Sequence, residues 1–155
     1  MGTELPVNWH VKKLSGSLGA EITGLSLAEA REAEVGVIKS LLTEHMVLFF
    51  PDQFMKDEDH VSLGRYFGEL EGHPNLKNAG SNLPKEIFQL AATNGGVADE
   101  WHTDITFQKH PALMSILNMV TCPETGGDTM WTSLNAAYDE LSDPMKELCE
   151  GLTAL

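Results

Sequence analysis

Trp101-His102-Thr103-Asp104-Ile105-Thr106-Phe107 is the stretch on which the reading of this chain turns. As a strand it alternates, with Trp101, Thr103, Ile105 and Phe107 toward one face and His102 and Asp104 together on the other. One imidazole and one carboxylate then stand side by side. That is two-thirds of the two-histidine-one-carboxylate triad that holds a divalent metal on one face and leaves the opposite positions open. In isolation H-x-D is a weak signal, because the chain has 6 histidines and 23 acidic residues. A histidine merely oriented by its neighbour's carboxylate on a sheet surface is spelled the same way.

The surrounding sequence supplies the context. Glu86 to Ala92, Ala112 to Val120 and Asp128 to Thr132 read as further strands, separated by loops around Gly95, Pro111 and Gly126. Ahead of them the period is helical. Ser26 with Glu29 spells a capping box, and Ala30, Ile38, Leu41 and Leu42 recur at helix spacing, predicting a helix from about Leu27 to Glu44. A second helix is predicted over Asp57 to Phe67, with Gly68 at its end. Trp9 to Leu14 and Ala20 to Thr23 read as a hairpin-like opening, and Met46 to Phe50, apolar on both faces, reads as a buried strand closed by Pro51 and Asp52. At the far end Ser133 caps a helix through about Leu141, Asp143-Pro144 opens a shorter one, and Gly151 stops it. Helices first and closely spaced strands after predict an α+β domain on an antiparallel sheet that curls toward a sandwich or barrel.

Composition removes several classes of function. Ten Lys+Arg against 23 Asp+Glu leave a net charge of -13, which repels nucleic-acid phosphates and anionic membrane surfaces, so no nucleic acid and no membrane are expected as partners. Apolar runs such as Met46 to Phe50 stop far short of the ~20 residues that cross a bilayer. The opening MGTELPVNWH has no basic-then-apolar leader pattern. Cys122 and Cys149 form no close pair and read as reduced thiols, which places the chain in the cytoplasm.

The segments EWHTDITF and PETGGDTMWTS together resemble the signature of the taurine dioxygenase (TauD/TfdA) family, and LGAEITGLSL, HMVLFFPDQ, RYFGELEGHP and NAAYDELSDPMKELCEGL match it in support. The resemblance runs from about Val11 to the last residue. It implies a double-stranded β-helix, the cupin-like jelly roll, with flanking helices. It also implies an Fe(II)/2-oxoglutarate-dependent dioxygenase: Fe(II) ligated by His102 and Asp104, 2-oxoglutarate touched through one carboxylate by Thr129, and dioxygen as co-substrate. Decarboxylation to succinate and CO2 would accompany hydroxylation of a small organic anion, a sulfonate, sulfate ester or aryloxyalkanoate. His73 stands where the taurine enzymes contact the substrate sulfonate, and a histidine beside an anionic head group is chemically apt. Ala98 and Leu76 replace the family's polar substrate contacts, so the implied pocket is more apolar than one built for taurine. Family members commonly associate, so a homo-oligomer, dimer or tetramer, is expected.

Two groups that the family pattern requires, a distal histidine ligand and an arginine gripping 2-oxoglutarate, are not found here. Arg31 and Arg65 fall on predicted helices, and His110 would need its loop to fold back over the metal. His10, His45 and His60 read as surface or helix-flank histidines. Too few strands follow Glu86 to close a jelly roll of about eight, and GLTAL opens an apolar run. The chain therefore reads as a single domain over residues 1–155, incomplete at its carboxy-terminal side. The competing expectation is a non-enzymatic jelly-roll module or inactive fragment lacking the distal groups.

Overall fold

The computed structural model describes residues 5–72, 83–91 and 99–153. The chain divides into two compact units, one formed by the residues up to Phe54 with those from Met119 onward, the other by Met55–Asn118.

In the first unit β1 (His10–Lys13) pairs antiparallel with β2 (Ala20–Thr23), His10 opposite Thr23 and Lys13 opposite Ala20. The turn between them is tied by the Ser15 hydroxyl, which donates to Leu18 O at 2.6 Å, and by Leu14 N donating to Gly19 O at 2.9 Å. β2 also pairs in parallel with β3 (Leu48–Phe49), giving the order β1-β2-β3. The parallel pair follows from the connection, since a strand that returns through a helix arrives in the same direction. The described sheet is thus mixed, where the sequence reading expected antiparallel pairing.

That connecting helix, α1, spans Glu32–His45. The expected capping box at Ser26 and Glu29 does not form. Leu27–Glu29 make a single 3-10 turn whose flanking Ser26 side chain caps nothing, and Ala30 leaves helical geometry at ψ 139. The helix restarts at Arg31, whose N–H donates to the Glu34 carboxylate at 3.0 Å. Val35, Ile38, Leu41 and His45 form its buried stripe, and Trp9, Ala20, Ile22, Leu27 and Ala30 are buried in the same unit. His45, expected as a surface or helix-flank histidine, is the last residue of α1 and is buried because it lies on that apolar stripe; its carbonyl also accepts from Gly19 N at 2.8 Å. Met46 at φ 64 ends the helix, and β3 is two half-buried residues in place of a five-residue buried strand.

In the second unit α2 (Asp57–Arg65) begins where Lys56 N–H donates to the Asp59 carboxylate at 3.3 Å, and it buries Val61, Leu63 and Gly64. The segments Glu86 to Ala92, Trp101 to Phe107 and Ala112 to Val120, predicted as strands, carry no ladder among the described residues, and neither does Asp128 to Thr132 in the first unit. Alternating apolar residues make a strand only when a neighbouring backbone takes up their N–H and C=O groups. Here Trp101, Phe107, Leu113, Leu117, Val120 and Met130 are exposed.

The carboxy-terminal helices form as predicted. Ser133 is buried and its hydroxyl accepts from Ala136 N at 3.1 Å, capping α3 (Leu134–Asp139). Pro144 sits in the first turn of α4 (Asp143–Cys149), and Gly151 follows at φ 78. Among the described residues no helix is long and apolar enough to cross a membrane, and Cys122 and Cys149 are free thiols.

Candidate metal centre

His102 and Asp104 lie in the second unit, in a loop. The chain turns immediately after the carboxylate: Ile105 adopts φ 45, Gln108 N donates to Ile105 O at 3.0 Å, and the Thr103 and Thr106 hydroxyls bond each other. A β-branched residue in the left-handed region costs ~1–2 kcal/mol, so the turn is held by its surroundings.

Within this loop the two side chains converge. His102 Nε2 lies 3.6 Å from Asp104 Oδ1, and both side chains are open to solvent, 59% and 65% exposed. On the other side of the ring, Nδ1 is 2.8 Å from Glu100 O. A carbonyl only accepts, so Nδ1 carries the hydrogen, which leaves Nε2, the nitrogen facing Asp104, as the ring's metal-binding atom. Backbone-fixed tautomers of this kind are how metal-binding imidazoles are oriented. The carboxylate's other oxygen, Oδ2, accepts from the Ser115 hydroxyl at 3.1 Å. The segment carrying Ser115 is tied to α2, where His60 Nε2 donates to Ile116 O at 3.0 Å.

One imidazole nitrogen and one carboxylate oxygen are a partial donor set of the kind that suits a divalent ion. Two donors at ~2.1 Å from one octahedral ion stand about 3 Å apart when at right angles, so the observed 3.6 Å needs only a small closing movement. Among the described residues no group of three or more His, Cys, Asp or Glu side chains could hold a metal. His110 accordingly does not join the pair as a third ligand.

Thr129 belongs to the first unit and is exposed on the loop opened by Gly126 at φ 78 and Gly127 at φ 74. Both glycines occupy the left-handed region, which only a residue without Cβ enters cheaply. Two residues beyond Thr129 the loop is pinned, because Trp131 packs edge-on against Phe49 of β3 with centroids 5.3 Å apart. His73, with Leu76 and Ala98, lies outside the described residues. Neither described arginine is placed as a carboxylate clamp: Arg31 Nη1 donates to Ala30 O at 3.0 Å, and Arg65 reaches Glu86 at 4.0 Å. Ser115 and the Glu100 carbonyl escaped the sequence reading. For Ser115 a signal existed, since it and Asn118 are the polar interruptions of the run Ala112 to Val120.

The family model "Taurine catabolism dioxygenase TauD, TfdA family" matches residues 10–155. The chain belongs to this family. An alkylsulfatase of Acinetobacter baylyi is 38% identical to it over 149 residues, covering 94% of this chain and 46% of that protein. An alpha-ketoglutarate-dependent sulfate ester dioxygenase of Pseudomonas putida is 35% identical over 147 residues, covering 94% and 48%. The crystal structure of a taurine dioxygenase from Burkholderia xenovorans superposes with a TM-score of 0.73 at 36% identity, covering 93% of this chain and 51% of that one. This TauD/TfdA chain thus shares the fold of solved taurine dioxygenases, and it spans about half the length of the curated relatives it matches.

Proposed function

We propose that this chain forms the iron-holding part of an Fe(II)- and 2-oxoglutarate-dependent dioxygenase that hydroxylates a small organic anion. The observation that carries the reading is the convergence of His102 Nε2 and Asp104 Oδ1, 3.6 Å apart, in a chain of the TauD/TfdA family. His102 and Asp104 are the two protein ligands it supplies. The distal histidine and the arginine that pairs with 2-oxoglutarate come from the part of the family's length that this chain does not span. Fe(II), when bound with 2-oxoglutarate and dioxygen, supplies the oxidation itself.

The protein's own work is placement. The Glu100 carbonyl holds the His102 ring in the tautomer that offers Nε2. The Thr129 hydroxyl donates to a carboxylate of 2-oxoglutarate, with the Gly126-Gly127 backbone passing close by. His73 donates to the anionic head group of the substrate, a sulfonate, sulfate ester or aryloxyalkanoate. Sulfate esters and sulfonates are favoured by the names of the relatives. Hydroxylation at the carbon that bears the leaving group gives a product that collapses and releases it.

The two units belong, on this reading, to one double-stranded β-helix domain. Support comes from the fold shared with the taurine dioxygenase structure and from the exposed Trp101, Phe107, Leu113, Leu117 and Val120, the kind of residues that a facing sheet covers. A cytoplasmic, homo-oligomeric enzyme is part of the same proposal.

The test is turnover. With Fe(II), 2-oxoglutarate and air, a panel of alkyl sulfates, alkyl sulfonates and aryloxyalkanoates should give succinate in step with release of sulfate, sulfite or phenol. Release of the anion without oxygen and without 2-oxoglutarate would show a hydrolase and contradict the proposal.

A further inference from the structure

Asp104 is held at both oxygens, and by different kinds of group. Oδ1 faces the imidazole at 3.6 Å, whereas Oδ2 accepts the Ser115 hydroxyl at 3.1 Å. The Ser115 backbone is not free to drift, because the next residue's carbonyl is fixed by His60 of α2 at 3.0 Å. The Asp104 side chain is 65% exposed, and the Ser115 hydroxyl is a side-chain donor placed on it.

We infer that Ser115 is a positioning residue for the metal centre: its hydroxyl occupies Asp104 Oδ2 and leaves Oδ1 alone to bind the ion beside His102 Nε2. The inference rests on the proposed iron site. A carboxylate with one oxygen engaged by a hydroxyl binds as a single donor. It takes one coordination position and keeps the others open for the co-substrate and dioxygen. Freed of the hydroxyl, the same carboxylate can rotate away or close on the ion through both oxygens. Ser115 touches neither substrate nor reacting atoms, so it acts only through Asp104.

Outer-shell partners of metal ligands typically contribute 10–100-fold in affinity. Titration of the protein with Mn(II), followed by loss of the free-ion electron paramagnetic resonance signal, reads this without turnover. Ser115→Ala, at an exposed position, should weaken binding by about 10-fold or more, and Ser115→Thr, which keeps the hydroxyl, should restore it. Infrared difference spectra of the Mn(II)-loaded protein should show the separation between the carboxylate stretches narrowing in Ser115→Ala only, as a chelating carboxylate requires. His102→Ala separates this inference from the reading beneath it. If wild type binds, His102→Ala does not, and Ser115→Ala binds like wild type with an unchanged carboxylate signature, the role of Ser115 is refuted while the metal site stands. If His102→Ala binds Mn(II) as wild type does, the metal site itself fails, and the inference falls with it.

Discussion

Gly24→Ala should destabilise the protein by an amount the geometry fixes. Gly24 follows β2 at φ 90, a conformation that costs a residue bearing Cβ ~1–2 kcal/mol. A Cβ there would also collide with the carbonyl oxygen of Asn8 and lie 2.8 Å from its carbon and 3.3 Å from Trp9 Cα. All three atoms are backbone, so no side chain can swing aside. Relief must come from moving the strand that enters β1, which threatens the 2.6 Å bond from Asn8 Nδ2 to Gly24 O and the burial of Trp9. Overpacking that displaces backbone costs ~1–3 kcal/mol, for a total of about 2–5 kcal/mol. In a chain of this size that lowers the melting temperature by about 10 °C, measurable by calorimetry or circular dichroism. Gly16→Ala is the control, because nothing lies within 4 Å of a Cβ there, and it should stay within ~0.5 kcal/mol of wild type. A Gly24→Ala protein that melts within about 1 °C of wild type would refute the reasoning.

The other predictions concern helices and one titration. Gly36→Ala, in the interior of α1 with nothing within 4 Å of the new methyl, should stabilise by ~0.5–1 kcal/mol in denaturant melts. Ser133→Ala removes the acceptor for Ala136 N and should cost ~1 kcal/mol in the same assay, with Ser133→Asp recovering most of it. Ile22→Ala, at a fully buried position of β2, should cost ~2–5 kcal/mol. The Tyr138 phenol donates to Glu150 at 3.0 Å, and this hydrogen bond, first among the causes, raises its pKa above the ordinary 10.0. The neutral phenol is the favoured form, so the contribution of the contact is present below pH 10.0 and lost as the pH rises through the raised value. In a Tyr66→Phe background the ultraviolet titration reports Tyr138 alone, since the chain has 2 tyrosines. Its midpoint should fall in Glu150→Gln.

Much of this could be read from residue order. The hairpin β1–β2, the four helices and the serine cap at Ser133 leave local signatures, because each is satisfied by neighbours within a few residues. The start of α1 lies later than the sequence reading placed it: Ser26 and Glu29 spell a capping box and Arg31 has no side-chain acceptor to make one, yet Ala30 is extended and the helix begins after it, with the Arg31 N–H bonded to Glu34. Met46 ends that helix at φ 64 with no glycine or asparagine to announce it. His45 stands at the helix flank, one of its two expected places, but its burial was not legible because a polar residue at a helix end gives no sign of lying on a buried stripe until the packing is known. The predicted strands after Glu86 depend on partners remote in sequence, which alternation alone does not supply. In the candidate site, the H-x-D spacing was a weak signal and the family resemblance singled out His102 and Asp104; their side chains converge without the strand that was expected to align them. The hydroxyl of Ser115 reaches Asp104 from another segment, so the polar interruption it makes in the run Ala112 to Val120 marks the residue but not its partner.

The central claim is that His102 and Asp104 would hold an iron that 2-oxoglutarate chelates. Adding Fe(II) and then 2-oxoglutarate without oxygen to the full-length protein, which carries the distal histidine and arginine, tests it most directly. The account predicts a weak visible charge-transfer band that needs both additions and vanishes in His102→Ala. A wild-type protein that shows no band, or a band that His102→Ala leaves intact, would contradict it.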